Sequence, residues 1–185
     1  MTRSLLLILV ASAAAVSQDS RQGPPLPGVP EATGVYCQSE PGKWISLEMA
    51  PAADSSIKGL RTFLETDTLS GLNMNFVYRG AHAATRLSDR RPTFVVRGIG
   101  SAPDALIVRL AQNRGTRTVQ TSSSAASVGN KGGFKRKEIR KVTVVSLADG
   151  SFSVTPEEVL APGEYLLVFG SANAGFDFGI GAADR

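Results

Sequence analysis

Cysteine and histidine are nearly absent. The 185-residue chain has one of each, Cys37 and His82. A single thiol cannot close an internal disulfide, and one Cys with one His cannot build a zinc finger or a Cys/His metal cluster. Charge is also sparse: charged residues make up 19% of the chain, against about 25% in an ordinary globular domain. The hydrophobic share, 42%, is close to normal, so composition does not make the chain disordered. Apolar runs after the N-terminus stay short, which excludes a polytopic membrane protein. Nineteen glycines and ten prolines follow no Gly-X-Y period, which excludes collagen. They fall between short apolar runs and point to a turn-rich β protein.

Catalytic motifs are missing too. There is no HExxH and no GxSxG. Gly98-Ile99-Gly100 runs into Ser101-Ala102-Pro103 and lacks the third glycine of a dinucleotide loop. Gly129-Asn130-Lys131-Gly132-Gly133 lacks the GK[ST] ending of a phosphate-binding loop. Cys37 and His82 can be paired as nucleophile and base, since such partners need not be close in sequence. A reactive thiol needs an activating environment, however, and none is visible around Cys37, so a structural Cys and a structural His are expected. No spacing among the Asp and Glu residues selects a pair for glycoside hydrolysis. No catalytic residue, metal ligand or cofactor is therefore assigned.

What is present begins at the N-terminus. Arg3 precedes an apolar stretch from Leu5 to Val16, with small residues at Ala13, Ala14, Ala15 and Ser17. This order describes a secretory signal peptide over 1–17, with cleavage after Ala15 or Ser17. The apolar run of about a dozen residues is short of the roughly 20 a bilayer span needs. Cleavage is expected rather than a permanent anchor, giving a secreted or periplasmic protein with no transmembrane segment. Residues 18–33 carry prolines at 24, 25, 27 and 30 and few large apolar side chains. Such a stretch buries too little surface to offset chain entropy, and a flexible Pro-rich linker is expected.

Residues 34–183 read as one domain. Met74, Phe76 and Tyr78 alternate with Asn75, Val77 and Arg79, and Leu106, Val108 and Leu110 alternate with Ala105, Ile107 and Arg109. A period of two puts one strand face on a core. Trp44 to Met49 alternates in the same way, and Thr93–Val96 and Thr116–Thr121 read as further strands. Asp149-Gly150 supplies a tight turn between Val142–Leu147 and Ser151–Thr155, predicting a hairpin. Pro162-Gly163 leads into Tyr165–Phe169, apolar on both faces and so predicted to be a central strand. Helix is expected at only two places. Thr155-Pro156-Glu157-Glu158 has the order of a capping box, and Ile57, Leu60 and Leu64 lie at helical spacing within Asp54–Glu65. The expected fold is all-β, an immunoglobulin-like or transthyretin-like antiparallel β-sandwich with one or two short helices.

Several stretches carry a resemblance. Gly34-Val35-Tyr36 is followed by Gly42-Lys43-Trp44. Gly80-Ala81-His82, Arg86-Leu87, Arg91-Pro92-Thr93-Phe94 and Leu106-Ile107-Val108-Arg109-Leu110 come next. Leu160-Ala161-Pro162-Gly163-Glu164-Tyr165 and Gly175-Phe176-Asp177-Phe178 close the chain. In this order they resemble an uncharacterised family of secreted bacterial β-rich proteins. Cys37 departs from its pattern, which favours an aromatic residue there. The resemblance implies a secreted β-rich protein and carries no activity onto these residues.

Charge is unevenly distributed. Residues 79–141 hold fourteen basic residues against Asp89, Asp104 and Glu138, whereas the rest of the chain is net acidic. Four of the six lysines lie between 131 and 141. Either the basic strands pair with acidic strands across the sheets, or they make a positive face for an anionic partner. On the second reading Lys131, Lys135, Arg136, Lys137, Arg140 and Lys141 are the candidate anion-binding residues. Ser122–Phe134, a long Ser- and Gly-rich connection, delivers them. Outside the cytoplasm the partner would be acidic polysaccharide, lipid headgroups or an acidic protein. Nucleic acid is disfavoured, because residues 98–133 offer no aromatic side chain for base stacking. The expected function is a binding or structural module with a basic face. A secreted hydrolase using paired carboxylates is the alternative, and a pocket of converging acids would favour it.

Overall fold

The computed structural model describes residues 22–58, 73–122 and 133–182. The expected signal segment, Met1 to Ser17, lies outside them. In chain order the first seven strands are β1 (Gly34–Glu40), β2 (Lys43–Leu47), β3 (Met49–Pro51), β4 (Asp54–Lys58), β5 (Asn73–Arg79), β6 (Arg86–Leu87) and β7 (Phe94–Arg97). They are followed by β8 (Ala105–Asn113), β9 (Thr116–Ser122), β10 (Ile139–Arg140), β11 (Val142–Ser146), β12 (Phe152–Pro156), β13 (Gly163–Phe169) and β14 (Ala174–Ile180). Among the described residues the helical content is one 3-10 turn at Ala102–Asp104. No helix of the described residues is long and apolar enough to cross a membrane.

The strands form two sheets packed as an antiparallel sandwich. The first has five strands in the order β11-β12-β7-β1-β2. The second runs β3-β14-β13-β8-β9-β5-β4, with β10 on β8 and β6 on β14. Of these strand pairings only β6–β14 is parallel. The core between the sheets gathers Val35, Cys37, Phe94, Val96 and Val154 from the first, and Ile107, Tyr165, Leu167 and Phe178 from the second. A second core lies on the far side of β13. Leu166 and Val168 meet Phe76, Tyr78, Val108, Val119 and Phe134 there. It exists because β9 pairs with β8 only over Ala111–Asn113 and then runs with β5. The ribbon of β4, β5 and β9 can then cover the outer face of β13. Each large side chain so buried contributes roughly 1.5–3 kcal/mol relative to exposure.

The predicted central strand is β13, buried on both faces from Glu164 to Val168. β8 differs from its expected one-sided pattern. Ala105 and Ile107 face the first core while Val108 and Leu110 face the second. The predicted hairpin is β11–β12. Gly150 closes its turn at φ +79°, and Asp149 Oδ1 accepts from the Ser151 N–H at 3.1 Å. The run from Trp44 to Met49 is not one strand. It leaves the first sheet after Leu47 and enters the second at Met49.

Both expected helices give way to strands. Asp54–Lys58 is β4, paired with β5 from Asp54↔Val77 to Lys58↔Asn73, and 59–65 lie outside the described residues. Tertiary pairing overrides the helical spacing, and Gly59 within that stretch is a residue that costs a helix about 1 kcal/mol relative to Ala. Thr155 and Pro156 end β12 opposite Thr143 and Val142. The β12–β7 ladder stops at Val154↔Phe94, so Pro156 sits where no partner needs its missing N–H.

The described part of the Pro-rich segment, expected as a flexible linker, follows the first sheet. The Gly23 N–H donates to Ser146 O at 2.8 Å, and Ala148 N–H donates to Gly23 O at 3.1 Å. Trp44 Nε1–H donates to Pro27 O at 3.0 Å. Backbone hydrogen bonds and one indole hold it where apolar side chains are lacking.

Candidate functional site

The basic segment is built outward from a buried anchor. Phe134 is fully buried in the second core and bridges to Thr121 at the end of β9. A turn follows, with Glu138 N–H donating to Lys135 O at 2.9 Å. β10 then pairs Ile139 with Val108 and Arg140 with Ile107. Lys141 carries the chain across to β11 in the other sheet, where its carbonyl accepts from Glu157 N–H at 2.9 Å.

The six expected anion-binding residues separate into groups. Lys131 lies outside the described residues. Lys135 Nζ donates to Gln120 Oε1 at 2.6 Å, and Arg140 Nη1 donates to the carbonyls of Lys137 and Ile139 at 2.7 and 3.0 Å. These two side chains are half-buried and hold the turn. Arg136, Lys137 and Lys141 are exposed, and none makes an ion pair or a side-chain hydrogen bond with any described residue. One acid sits among them. Burial raises the Glu138 carboxyl above its usual range, and Lys135, Lys137 and Arg140 pull it back. Its Oε2 has no hydrogen-bond partner among the described residues.

Two clefts flank β10 and Lys141. The larger, about 510 Å³, lies between β11 and the start of β8, and runs past Ala102, Leu106, Ile139, Val142 and Val144 to Arg140, Lys141 and Glu157. The smaller, about 310 Å³, is bounded by Ile139, Arg140, Lys141, Glu158 and Val159, the last 60% exposed. Both join apolar surface to the same two cations. Each contains one carboxylate, Glu157 or Glu158, and so neither brings together the pair that a hydrolase of the expected kind would need.

Most arginines from the basic region act as clips. Arg90 Nε donates to Leu160 O and Arg91 Nε to Pro156 O, each at 2.9 Å. Arg97 pairs with Asp149 at 2.6 Å, tying β7 to the hairpin turn. The densest constellation surrounds Glu164, whose side chain is 1% exposed. Its Oε1 pairs with Arg86 and lies 3.3 Å from His82 Nδ1, while Oε2 accepts from the Ala83 N–H at 2.7 Å. Arg117, also buried, lies 3.9 Å from Oε2 and bonds Asp177 at 2.5 Å and Arg79 O at 2.7 Å. The buried Glu164 and the half-buried Asp177 thus meet two guanidinium groups and several backbone dipoles, which satisfies charges that would otherwise be expensive to bury. The adjoining cavity is about 70 Å³ and contains Glu164 as its one carboxylate. This cluster was missed in the sequence. The available signal was a lone acid, Glu164, opening an otherwise apolar strand.

Cys37 lies fully buried in the core on β1, paired with Ile45 of β2 and Phe94 of β7. Burial pushes its thiol up to about 12. The ring contacts of His82 are with Glu164 and Gln112. The Cys37–His82 pairing therefore has no activated thiolate to offer. Comparison with family models, with curated proteins and with solved structures gives no match.

Proposed function

We propose that this chain is an exported binding module, working outside the cytoplasm, that holds an anionic partner against the turn and strand at Lys135–Lys141. One observation supports the reading above the rest. Arg136, Lys137 and Lys141 remain exposed, without an ion pair or side-chain hydrogen bond to any described residue, although most of the neighbouring arginines are tied to carbonyls or carboxylates. Lys135 and Arg140 brace the turn that presents them. Exposed cations gathered on one segment attract anions over a distance set by ionic strength.

Retention on heparin and on anionic liposomes across a salt series tests the proposal. Binding should fall steeply between 0.1 and 1 M salt, as the screening length drops from about 10 Å to about 3 Å. Replacing Arg136, Lys137 and Lys141 together with Ser should abolish most retention and leave the melting temperature nearly unchanged, because these side chains are exposed. Retention equal to the parent would refute the proposal.

A further inference from the structure

The larger cleft follows the outer edge of β11, and the hydrogen-bond pattern identifies which backbone groups that edge presents. In an antiparallel pair, alternate residues direct their N–H and C=O toward the partner. On β11 the odd-numbered positions serve β12: Lys141 O accepts from Glu157 N–H, and Leu147 N–H donates to Ser151 O at 2.8 Å. The even-numbered positions face away. Ser146 O and Ala148 N–H confirm this, because both bond Gly23. The N–H and C=O of Val142 and Val144 therefore point outward too, and no described strand pairs with them. An unpaired edge of this kind is a template for another strand.

Three features select what would pair there. The edge already accepts extended chain, since Gly23 bridges Leu147 in parallel at its far end. The cleft beside it has apolar walls at Leu106, Ile139, Val142 and Val144, and its volume of about 510 Å³ suits side chains of a bound segment. Its cations, Arg140 and Lys141, outnumber its one carboxylate, Glu157. We propose that the outer edge of β11 is a strand-addition site, in line with Gly23, for an extended peptide segment of a partner protein that alternates apolar and acidic side chains. Main-chain bonds to Val142 and Val144 supply register, and the Arg140–Lys141 rim takes the carboxylates. This deepens the anionic-partner reading and rests on it for the acidic half of the recognition.

The experiment uses the full chain and a defined probe, a fluorescent peptide acetyl-Val-Glu-Val-Glu-Val-Glu-amide, read by anisotropy. A second probe carries N-methyl groups at alternate residues, in both registers, and so loses the donors of one edge. A third, triglutamate, has the charge without the strand. Val144→Pro removes an outward N–H on β11 and spares the bonds to β12. N-methylation and Val144→Pro should each weaken the first probe about tenfold, the worth of one or two hydrogen bonds. Heparin retention of Val144→Pro should stay at the parent level. Equal binding of the methylated and plain peptides, or of triglutamate and the plain peptide, would overturn strand addition while leaving the anionic reading intact. Undiminished peptide binding by the Arg136, Lys137 and Lys141 triple variant, with heparin retention never seen, would sink the anionic reading and keep strand addition. Peptide binding that appears only after residues 18–21 are deleted would make that segment the occupant instead. A dimer dissociated by Val144→Pro would assign the edge to a second copy. Either outcome would overturn the partner peptide.

Discussion

Replacing Glu164 with Gln asks whether the buried ionic cluster holds the second sheet together. The two oxygens of Glu164 serve different partners, Arg86 and His82 on Oε1 and the Ala83 N–H on Oε2. An amide has one oxygen, so its NH2 group must face either Arg86 or Ala83, donor against donor. One charge-assisted bond is lost at about 1.5–3 kcal/mol. The Arg86 guanidinium, which also spans the carbonyls of Gly181 and Ala182, then keeps its charge without a counter-ion. Breaking a buried pair in this way costs about 3–5 kcal/mol in all. For a domain of this size each kcal/mol shifts Tm by roughly 2–4 °C, so a fall of about 10 °C is expected by calorimetry. Glu157→Gln, on the exposed rim of the cleft, should leave Tm almost unmoved. Gly179→Ala is an independent perturbation, since a β-carbon there would occupy the place of the Arg86 guanidinium. Both changes release Arg86, so their effects should combine to less than their sum. If Glu164→Gln melts within about 2 °C of the parent, the cluster does not stabilise the fold and the reasoning fails.

The Cys37 thiol, fully buried and pushed up to about 12, should resist thiol reagents in the native protein and react promptly in denaturant. Fast native labelling would place it at the surface. Glu138→Gln should raise Tm at pH 7, because burial raises its carboxyl in the folded state. The folded chain then holds that proton more tightly than the unfolded one. The stability this linkage supplies is present below the unfolded carboxylate range and lost as pH rises through the folded value. The advantage of Gln should accordingly vanish toward pH 3, and a constant difference would refute the assignment. Asp149 is the opposite case. Ser151 chiefly, with Arg97, lowers its carboxyl, so its contribution should be present at neutral pH and fade only as pH falls below the usual carboxylate range. A melting-temperature series of parent against Asp149→Asn checks this, and a difference that does not shrink as pH falls below the usual carboxylate range would contradict it. Gly100→Ala should destabilise markedly, since Gly100 sits at φ +66° and a β-carbon would lie 2.5 Å from the Phe169 ring.

By itself the sequence determined the strands whose cause is local. β5 was legible because side-chain direction alternates along any extended chain, and apolar spacing reports that directly; β13 was legible as a short unbroken apolar run behind the Pro162-Gly163 turn. The Asp149-Gly150 hairpin was legible because a tight turn needs a residue tolerant of positive φ. The basic segment was legible as a count of charges. Tertiary structure decided what depends on partners distant in the chain. Asp54–Lys58 became β4 through pairing with β5, although its own spacing suggested helix. The backbone of Gly23 and Pro27 was held to the first sheet by main-chain bonds and the Trp44 indole, which composition does not record. The sorting of cations likewise lay beyond the sequence. Arg86 and Arg117 reach Glu164 and Asp177 across 60 or more residues of chain, whereas Arg136 and Lys137 form no ion pair with a described acid. A charge is braced or free according to what the folded chain places within about 4 Å of it, and that distance exists only once the sheets have closed.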